Sequence, residues 1–246
     1  MAKIHIVLQG KGGVGKSMIA SAIAQFKGEH FKGSNGKKPL CIDTDPINTT
    51  FAGYKNLQVE RLNIMDGDEI NTRKFDDLIE KIAETEGDVI IDNGASSFVP
   101  LSHYLISNQV PELLAQMGHE LIVHTVITGG QALLDTVSGF SQLISQFPEE
   151  STFIVWLNPY WGPIEHDGKH FEEMKAYLSN KERVSAIVQI PELKEETYGR
   201  DFSEMLQARM TFDEALEDKN LTIMTRQRIK LIKKDLFSQL EGAAVL

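Results

Sequence analysis

The sequence has a single cysteine, Cys41, among its 246 residues. One cysteine cannot close a disulfide bond within the chain, so a reducing compartment fits this composition. Iron–sulfur clusters are held by several cysteine thiolates, which one residue in an apolar segment cannot supply. The sequence therefore excludes an internal disulfide and predicts a protein with no iron–sulfur cluster.

Long apolar runs and an excess of positive charge are also absent. No apolar run in the sequence approaches the roughly 18 residues that a membrane-spanning helix needs. The first residues enter a β-rich segment and lack the pattern of a signal peptide. The net charge of −10 argues against a surface that binds nucleic acid throughout. We therefore expect a cytoplasmic protein with no transmembrane segment.

The remaining composition is that of a globular protein. Hydrophobic residues make up 41% and charged residues 24% of the chain, which is enough apolar material for a core. No repeat, low-complexity tract or long linker divides the sequence, and Gly33 to Gly36 is its one obviously flexible segment. We expect a single domain over residues 1–246.

Apolar, β-branched runs alternate with helical patterns along the chain. The predicted strands are Lys3 to Leu8, Leu40 to Asp43, Arg61 to Met65, Asp88 to Asp92, Glu120 to Ile127, Thr152 to Leu157 and Val184 to Ile190. The predicted helices are Ser17 to Phe26, Arg73 to Glu84, Ala132 to Phe147, Phe171 to Leu178, Phe202 to Met210 and Met224 to Leu240. This alternation predicts an α/β fold, a doubly wound and mostly parallel sheet with helices on both faces.

Residues 10 to 17, GKGGVGKS, match the phosphate-binding pattern G-x-x-x-x-G-K-[ST] at every fixed position. Glycines let the backbone approach a polyanion, so that successive N–H groups point at phosphate oxygens. We expect Lys16 on the outer phosphates and the Ser17 hydroxyl on Mg²⁺. A strand before the loop and a helix after it complete a P-loop NTPase site. The predicted nucleotide-binding residues are Gly12, Gly13, Val14, Gly15, Lys16, Ser17 and Met18.

Acidic residues follow two of the predicted strands. Asp43 and Asp45 end the segment LCIDTDP, and their spacing places both side chains on one face of an extended chain, although a polar turn before Pro46 explains the pattern equally simply. Asp92 ends the hydrophobic segment DVIID, which has the general Walker B form. Carboxylates at the carboxyl ends of strands beside a P-loop are suited to hold Mg²⁺ and to orient water.

Lys11, the second residue of the glycine motif, narrows the choice among families of P-loop proteins. Lys11 to Ser17 resembles the deviant Walker A motif of the superfamily of ParA, MinD and the nitrogenase iron protein. The resemblance implies that Lys11 is the signature lysine, which crosses a dimer interface to the partner's nucleotide. An added cation at the phosphates stabilises charge that develops during transfer. The single cysteine excludes the iron-protein branch.

The same resemblance assigns roles to the carboxylates. By position, Asp45 matches the residue that orients the attacking water, and Asp43 matches a supporting acid near the metal. Asp92 matches the residue that binds Mg²⁺ directly or through a water. The family usually continues with Thr-Pro-Pro, whereas this chain has residues 93–97, NGASS, so its switch II loop differs.

Two later segments resemble the part of the family that binds the base. Asn158 ends the segment VWLNP where relatives hydrogen-bond adenine, although an Asn-Pro turn explains it equally simply. Pro191, in IPEL, matches the segment along the other edge of the base. Trp156, Tyr160 and Trp161 lie nearby in sequence and fit either a partner surface or the core around the adenine.

The segments MAKIHIVLQGKGGVGKSMIA and WLNPYWGPIEH resemble TraL-type proteins of plasmid conjugative-transfer regions. This resemblance implies a Mg²⁺-dependent ATPase that forms a homodimer with ATP and serves conjugative transfer. Catalysis would depend on Lys11, Lys16 and Asp45, with ATP and Mg²⁺ as ligands. The implied partners are other transfer or positioning proteins.

Two alternatives stay open. The first is a partition or positioning ATPase whose ATP form binds DNA non-specifically or a membrane. Its basic candidates, which fit solvated surfaces as well, are Lys27, Lys32, Lys37, Lys38, Arg226, Arg228, Lys230, Lys233 and Lys234. Its apolar stripe, which fits a core helix as well, is Ile229, Ile232, Leu236 and Leu240. The second is a ligase of the dethiobiotin synthetase type, which Lys11 and the Asp43–Asp45 pair disfavour.

Overall fold

A computed structural model describes residues 2–30 and 38–243 of the chain. The predicted basic residues Lys32 and Lys37 and the segment Gly33 to Gly36 lie outside the described residues. The strands are β1 (Lys3–Val7), β2 (Leu40–Asp43), β3 (Glu60–Arg61), β4 (Met65–Asp66), β5 (Glu69–Ile70), β6 (Val89–Asp92), β7 (Glu120–Thr128), β8 (Thr152–Asn158), β9 (Glu165–His166), β10 (Lys169–His170) and β11 (Val184–Gln189). The helices are α1 (Lys16–His30), α2 (Asp76–Glu84), α3 (Phe98–Ser107), α4 (Val110–Gln116), α5 (Leu133–Gln146), α6 (Lys175–Leu178), α7 (Arg200–Gln207), α8 (Phe212–Glu217) and α9 (Ile223–Gly242).

The main sheet has seven strands in the order β11-β8-β7-β1-β6-β2-β3. Every pairing within it is parallel. The chain enters at the central strand β1, builds one half with β2, β3 and β6, and then builds the other half with β7, β8 and β11. Two antiparallel hairpins, β4–β5 and β9–β10, lie outside this sheet. The predicted doubly wound parallel sheet is confirmed, and its switch point lies at β1, where such folds bind ligands.

Hydrophobic cores fill both faces of the sheet because its strands are apolar along their length. On one face, Ile4, Ile6 and Leu8 pack against α2 to α6. On the other face, Val7 packs with α1, α7, α8 and α9. Side chains of a strand alternate between its faces, which explains this division. The prediction of helices on both faces is thus correct, while the expectation of a single domain stays a prediction.

The apolar stripe of α9 belongs to the second core. Ile229, Ile232, Leu236 and Leu240 are each at most 3% exposed and pack with the residues of α1. The core interpretation of this stripe is therefore correct, and the stripe does not face outward. No helix within residues 2–30 and 38–243 combines the length and the apolar character that crossing a membrane requires.

One predicted strand is wrong. Arg61 to Met65 is split between β3, which pairs with β2, and β4, which pairs with β5. The Met65 N–H donates to the Asn63 side chain at 3.1 Å. This local turn ends the extended segment between the two short strands.

Three helices were not predicted, namely α3, α4 and α8. Proline punctuates two of them, Pro100 in α3 and Pro111 in α4. Both prolines lie in the first turn, where a missing N–H and a fixed φ suit a helix. The third, α8, is short and begins with a capping box between Thr211 and Glu214.

Candidate nucleotide-binding site

The glycine loop connects the end of β1 to the start of α1 at the carboxyl edge of the sheet. Gly13 has a φ of +74° and Gly15 a φ of +101°, which side chains with a Cβ rarely adopt. A Cβ at Gly10 would lie 3.0 Å from the Phe98 ring. Helix α1 starts at Lys16, directly after the last of these glycines. The predicted strand, loop and helix N-terminus are therefore present, and this is the geometry of an anion site.

Lys16 is buried inside this loop. Its side chain is only 8% exposed, and its ammonium donates a hydrogen bond to the Lys11 carbonyl oxygen at 3.0 Å. Burial lowers the pKa of Lys16, and the charges of Asp92 and Asp45 oppose that shift. A buried cation of this kind is suited to an anionic ligand, because it lacks the water that would otherwise compete.

Asp92 and Ser17 meet at the base of the loop. The Asp92 side chain is buried and accepts a hydrogen bond from the Ser17 side chain. Its other oxygen, Oδ1, is buried and has no hydrogen-bond partner within the described part of the chain. Burial, with the nearby charges of Asp43 and Asp45, raises the pKa of Asp92 to about 7, although Ser17 and Lys16 oppose the rise.

These two residues fit the predicted Mg²⁺ ligands. A buried carboxylate oxygen without a partner is costly unless a cation or a proton satisfies it. Across residues 2–30 and 38–243, no group of three or more His, Cys, Asp or Glu side chains is arranged to hold a metal alone. Mg²⁺ commonly takes one or two protein ligands and completes its shell with phosphate oxygens and water. Ser17 and Asp92 match that pattern.

Asp43 has a different environment from the one the sequence suggested. It is fully buried, and its two oxygens accept hydrogen bonds from the backbone N–H groups of Asp45 and Ala52, each at 2.9 Å. Burial raises the pKa of Asp43, and these two hydrogen bonds oppose the rise. Here the carboxylate shapes the loop that follows β2, so its role as a metal ligand stays a prediction.

Asp45 is half-buried beyond the end of β2. Its carboxylate and that of Asp43 accept hydrogen bonds from different backbone N–H groups. Its Oδ1 accepts hydrogen bonds from the N–H groups of Ile47 and Asn48 at 2.9 and 3.0 Å. An added Cβ at Gly94 would lie 2.6 Å from the Asp45 Cγ, so the carboxylate lies against the bare glycine backbone. Its charge opposes the lowering of the Lys16 pKa and contributes to the raising of the Asp92 pKa.

Lys11 lies at the outer side of the loop. Its ammonium is 2.7 Å from the Asp135 carboxylate, in the first turn of α5. Both side chains are exposed, at 45% and 60%. The predicted contact with a partner's nucleotide stays a prediction, because a single chain is described.

Asn158 supports the loop from the end of β8. Its Nδ2 donates to the Val14 carbonyl at 2.9 Å, and its Oδ1 accepts from the Tyr160 N–H. A Cβ at Gly15 would lie 2.9 Å from the same Nδ2. The Asn158 amide thus holds the glycine loop in place, and an additional contact of Asn158 with adenine stays a prediction.

The predicted base-binding segment after β11 starts near Asn158. The Ile190 N–H donates to the Leu157 carbonyl at 2.9 Å, so half-buried Pro191 follows directly beside the end of β8. Met18, in the first turn of α1, is partly buried against the second core. Its methyl carbon would lie 3.6 Å from a Cβ at Gly15. The structure therefore brings these predicted residues to the same edge of the sheet.

Gln9 is a supporting residue that the sequence pattern did not identify. It is buried, and its Nε2 donates to the carbonyls of Val126 and Thr136 at 3.0 and 3.2 Å. Its Oε1 accepts from the Lys11 N–H at 3.4 Å. Gln9 therefore connects the loop to β7 and α5. The available signal was a polar side chain between an apolar strand and the first glycine.

Trp161 closes the outer side of the loop. Its indole N–H donates to the Gly13 carbonyl at 3.2 Å, while 56% of the residue stays exposed. A Cβ at Gly130 would lie 2.5 Å from the Trp161 carbonyl oxygen, so the two backbones are in close contact. A cleft of about 510 Å³ opens here, lined by Lys11, Gly12, Gly13, Val14, Gly130, Gln131, Ala132 and Trp161.

Comparisons with known proteins identify the fold and the family of the chain. No protein-family model matches the sequence. Two solved structures from Aquifex aeolicus are similar in fold: the MinC:MinD cell division protein complex, with a TM-score of 0.54 and 16% identity over 98% of this chain and 96% of that chain, and the MinD cell division protein, with a TM-score of 0.52 and 17% identity over 98% of both. Protein TraL of Escherichia coli is 76% identical over 246 residues, which is 100% of both chains. The chain therefore belongs to the TraL family and has a MinD-like fold.

Proposed function

We propose that this chain is a Mg²⁺-dependent ATPase that acts as a dimerisation switch. The observation that carries the proposal is the arrangement of Lys16, Ser17 and Asp92 at the glycine loop. A buried ammonium and a buried carboxylate with one unpartnered oxygen lie at the start of the same helix. A nucleoside triphosphate with a bound metal ion would neutralise both charges, because its phosphate oxygens would pair with Lys16 and the metal ion with Asp92.

The loop binds the phosphates by position and charge. The positive φ angles of Gly13 and Gly15 are of the kind that let backbone N–H groups of residues 12–17 converge on a bound anion. Lys16 exchanges its hydrogen bond with the Lys11 carbonyl for phosphate oxygens. Because its surroundings are dry, the attraction is stronger than for a surface lysine.

Ser17 and Asp92 would hold Mg²⁺. The ion supplies neutralisation of charge on the phosphate oxygens. Burial raises the pKa of Asp92 to about 7, and a cation held here would favour its charged form. Asp43 supports this arrangement by fixing the backbone that carries Asp45.

Asp45 orients the water for attack on the γ-phosphorus. Its Oδ1 is held by the N–H groups of Ile47 and Asn48, whereas Oδ2 accepts no hydrogen bond from the residues described. Oδ2 can therefore accept a hydrogen bond from a water without losing one from the protein. The new bond joins the water oxygen to phosphorus while the bond to ADP breaks, and the water proton leaves with the products.

A second copy of the chain fits the face around the loop. Large apolar side chains are exposed on segments that follow the carboxyl ends of β2, β6, β7 and β8, and parallel strands bring these ends to one edge. Exposed apolar groups that share one face mark interaction surfaces. They are Ile47, Val99, Leu134, Tyr160 and Trp161. Lys11 lies on the same face, where it can reach a partner's nucleotide.

The relatives named TraL support a role in plasmid conjugative transfer, which the sequence resemblance implied. An ATPase whose product is a changed binding surface acts through partners. We infer that these partners are other transfer or positioning proteins in the cytoplasm.

The test compares ATP turnover and light scattering for the unsubstituted protein, Lys16→Ala and Asp45→Ala. Lys16→Ala should lose at least about 100-fold in turnover, because it removes a preorganised charge from the phosphates. Asp45→Ala should hydrolyse slowly and accumulate an ATP-bound dimer. Lys230→Ala, an exposed lysine on α9, is the matched control and should behave as the unsubstituted protein. Full turnover by Lys16→Ala, or no dimer with Asp45→Ala, contradicts the mechanism.

A DNA-associated positioning ATPase is the alternative. Arg226, Lys230 and Lys234 repeat every four residues along α9 and form no ion pair with the described residues. The cluster is smaller than its sequence suggests, because Arg228 pairs with Asp201 and Lys233 pairs with Glu29 and Asp213.

Retention of DNA by the ATP form at low salt, with a steep loss as salt rises, would favour this alternative. The triple variant Arg226→Ala, Lys230→Ala, Lys234→Ala should then release DNA and keep ATP turnover. No retention of DNA by the unsubstituted protein with ATP removes the alternative.

A further inference from the structure

The loops that follow β2 and β6 remain paired beyond the ends of their strands. Asp43 is opposite Asp92 in the sheet, and the Thr44 N–H donates to the Asp92 carbonyl at 2.9 Å. The next residues, Thr44 and Asn93, are both fully buried, as is Ser97 before α3. The segment carrying Asp45 is therefore held against residues 93–97, the segment in which this chain departs from the usual Thr-Pro-Pro.

The Asn93 amide connects the two loops. Its Oδ1 accepts hydrogen bonds from the Ser97 hydroxyl at 2.7 Å and from the Thr44 hydroxyl at 3.2 Å. Its Nδ2 donates to the Gly94 carbonyl at 3.0 Å. The Thr44 hydroxyl also lies 3.0 Å from the Asp92 carbonyl. One buried amide thus fixes the residue before Asp45 relative to the start of α3.

Gly94 provides the surface on which Asp45 rests. A Cβ at this position would lie 2.6 Å from the Asp45 Cγ, 2.7 Å from Oδ1 and 3.0 Å from Oδ2. Such distances are shorter than any allowed contact, so any other residue at this position displaces the carboxylate. The other contacts of the carboxylate, to Ile47 and Asn48, are within its own loop and do not set its position relative to the phosphate loop.

We propose that Asn93 and Gly94 are positioning residues that set the Asp45 carboxylate for its contact with the attacking water. Asn93 fixes the backbone through Thr44, and Gly94 leaves the space that the carboxylate occupies. The inference rests on the proposed function, in which Asp45 orients that water. None of these contacts reaches the side chain of Lys16, Ser17 or Asp92, so we expect a larger effect on hydrolysis than on ATP binding.

Displacing a reacting group by about 1 Å costs up to roughly 100-fold in rate. Gly94→Ala should therefore lower kcat for ATP hydrolysis by ten- to 100-fold while KM changes less than about twofold. Like Asp45→Ala, it should also accumulate the ATP-bound dimer in light scattering. Gly28→Ala is the matched control, because a Cβ at this helical glycine meets nothing within 4 Å, and it should leave both readouts unchanged.

The Asn93 contact is tested through Thr44. Thr44→Val keeps the shape of the side chain and removes the hydroxyl, whereas Thr44→Ser keeps the hydroxyl. Thr44→Val should lower kcat with KM preserved, and Thr44→Ser should restore most of it. Asn93→Ala should resemble Thr44→Val. Thermal unfolding of each variant is measured first, and assays are made well below the lowest Tm so that each variant is folded.

The outcomes separate this inference from the proposed function. If Asp45→Ala loses turnover but Gly94→Ala keeps full kcat, the positioning role is wrong and the proposed function stands. The same holds if Gly94→Ala loses turnover without accumulating the dimer, or if Thr44→Ser is as impaired as Thr44→Val. If the unsubstituted protein has no turnover, or Asp45→Ala keeps it, both proposals are wrong.

Discussion

The ammonium of Lys11 forms an ion pair with the Asp135 carboxylate of its own chain, at a distance of 2.7 Å. Its carbonyl oxygen accepts a hydrogen bond from the Lys16 ammonium. Both cations of the loop are thus partnered within the chain. In the proposed dimer, Lys11 leaves Asp135 to reach the opposite nucleotide, so this ion pair opposes dimerisation.

Asp135→Asn should favour the ATP-bound dimer. An exposed ion pair contributes about 0.2–1 kcal/mol, and the symmetric dimer would break two of them, so the dimer should form at a protein concentration up to about 30-fold lower. Sedimentation velocity with ATP across a concentration series measures this shift. Glu204→Gln, which removes the exposed ion pair with Arg200, is the control and should cause no change. Weaker dimerisation of Asp135→Asn would show that Asp135 supports the dimer instead.

Asp92→Asn should stabilise the nucleotide-free protein at neutral and alkaline pH. The pKa of Asp92 is about 7 in the folded chain against 3.8 for an ordinary aspartate. Because the folded state holds this proton more tightly, its contribution to stability is present below pH 3.8 and is lost as pH rises through about 7. We expect the free energy of unfolding of Asp92→Asn at pH 8 to be higher by about 2–4 kcal/mol.

Urea unfolding at pH 8 and pH 5 measures this difference, which should be smaller at pH 5. The variant should also lose the stabilisation that Mg²⁺ and ATP together confer on the unsubstituted protein. Glu60→Gln, on the exposed strand β3, is the control. A less stable Asp92→Asn at pH 8 would show that the charged carboxylate is stabilised in the nucleotide-free chain and that Oδ1 is not left unsatisfied.

The strand, glycine loop and helix at residues 3–30 were predictable because their requirements are local. Glycines, Lys16 and Ser17 follow one another in sequence, and the flanking strand and helix have their own apolar periodicity. Asp92 was predictable for the same reason, since it ends a strand whose side chains are all buried. The parallel direction of the strands also follows from the alternation of strand and helix patterns, whereas their order was not predicted.

The supports of the loop were not predictable from local patterns. Asn158 bonds Val14 across 144 positions, and Gln9 bonds Thr136 across 127. Neither contact leaves a motif, because the partner atoms are backbone carbonyls that every residue carries. The contact of Asp43 with the Ala52 N–H was hidden for a related reason, because it is set by the path of the intervening loop.

A hydrogen-bonded network of three buried side chains spans the strands β1, β7 and β8, on the face of the sheet that packs against α1 and α9. The Trp156 indole N–H donates to His124 Nδ1, and His124 Nε2 lies 3.0 Å from His5 Nδ1. Since the indole can only donate, His124 carries its proton on Nε2 and donates to His5. His5 Nε2 has no partner among the described residues. Both rings are therefore neutral, as complete burial requires.

The two buried histidines, His5 and His124, predict a loss of stability in mild acid. Burial, with the charge of Lys27, lowers the pKa of His124 from 6.5 to about 3, and burial lowers the pKa of His5 well below 6.5. The unfolded state binds these protons first, so the contribution to stability is complete above pH 6.5 and falls toward pH 3. We expect the free energy of unfolding to fall by about 1.4–2.7 kcal/mol per pH unit below that point.

As pH falls below about 7, protonation of Asp92 raises the free energy of unfolding and so opposes the effect of the histidines. The measurement therefore uses the Asp92→Asn variant as its background. Urea unfolding at pH 7.5, 6.5 and 5.5 gives the slope, and adding His5→Gln should reduce it. His103→Gln, at an exposed histidine, is the control and should leave it unchanged. A slope that His5→Gln does not alter would place the titrating group elsewhere.

Trp161 should report nucleotide binding. The chain has two tryptophans, of which Trp156 is fully buried and Trp161 is exposed beside the phosphate loop. Since the Trp161 indole is bonded to the Gly13 carbonyl, movement of the loop on binding Mg²⁺ and ATP should change its emission. The change should be absent in Trp161→Phe, present in Trp156→Phe and absent in Lys16→Ala.

Trp161→Phe should also weaken binding, because it removes one neutral hydrogen bond to the loop. Such a bond contributes about 0.5–1.5 kcal/mol, or roughly two- to tenfold in Kd for ATP. Titration with a fluorescent ATP analogue measures the affinity independently of tryptophan emission. Tyr160→Phe, which keeps the neighbouring ring that packs on Trp161, should bind normally. Tighter binding by Trp161→Phe than by the unsubstituted protein would contradict this prediction. It would show that the hydrogen bond from the indole holds Gly13 away from the phosphates, so that the bond must break before ATP binds.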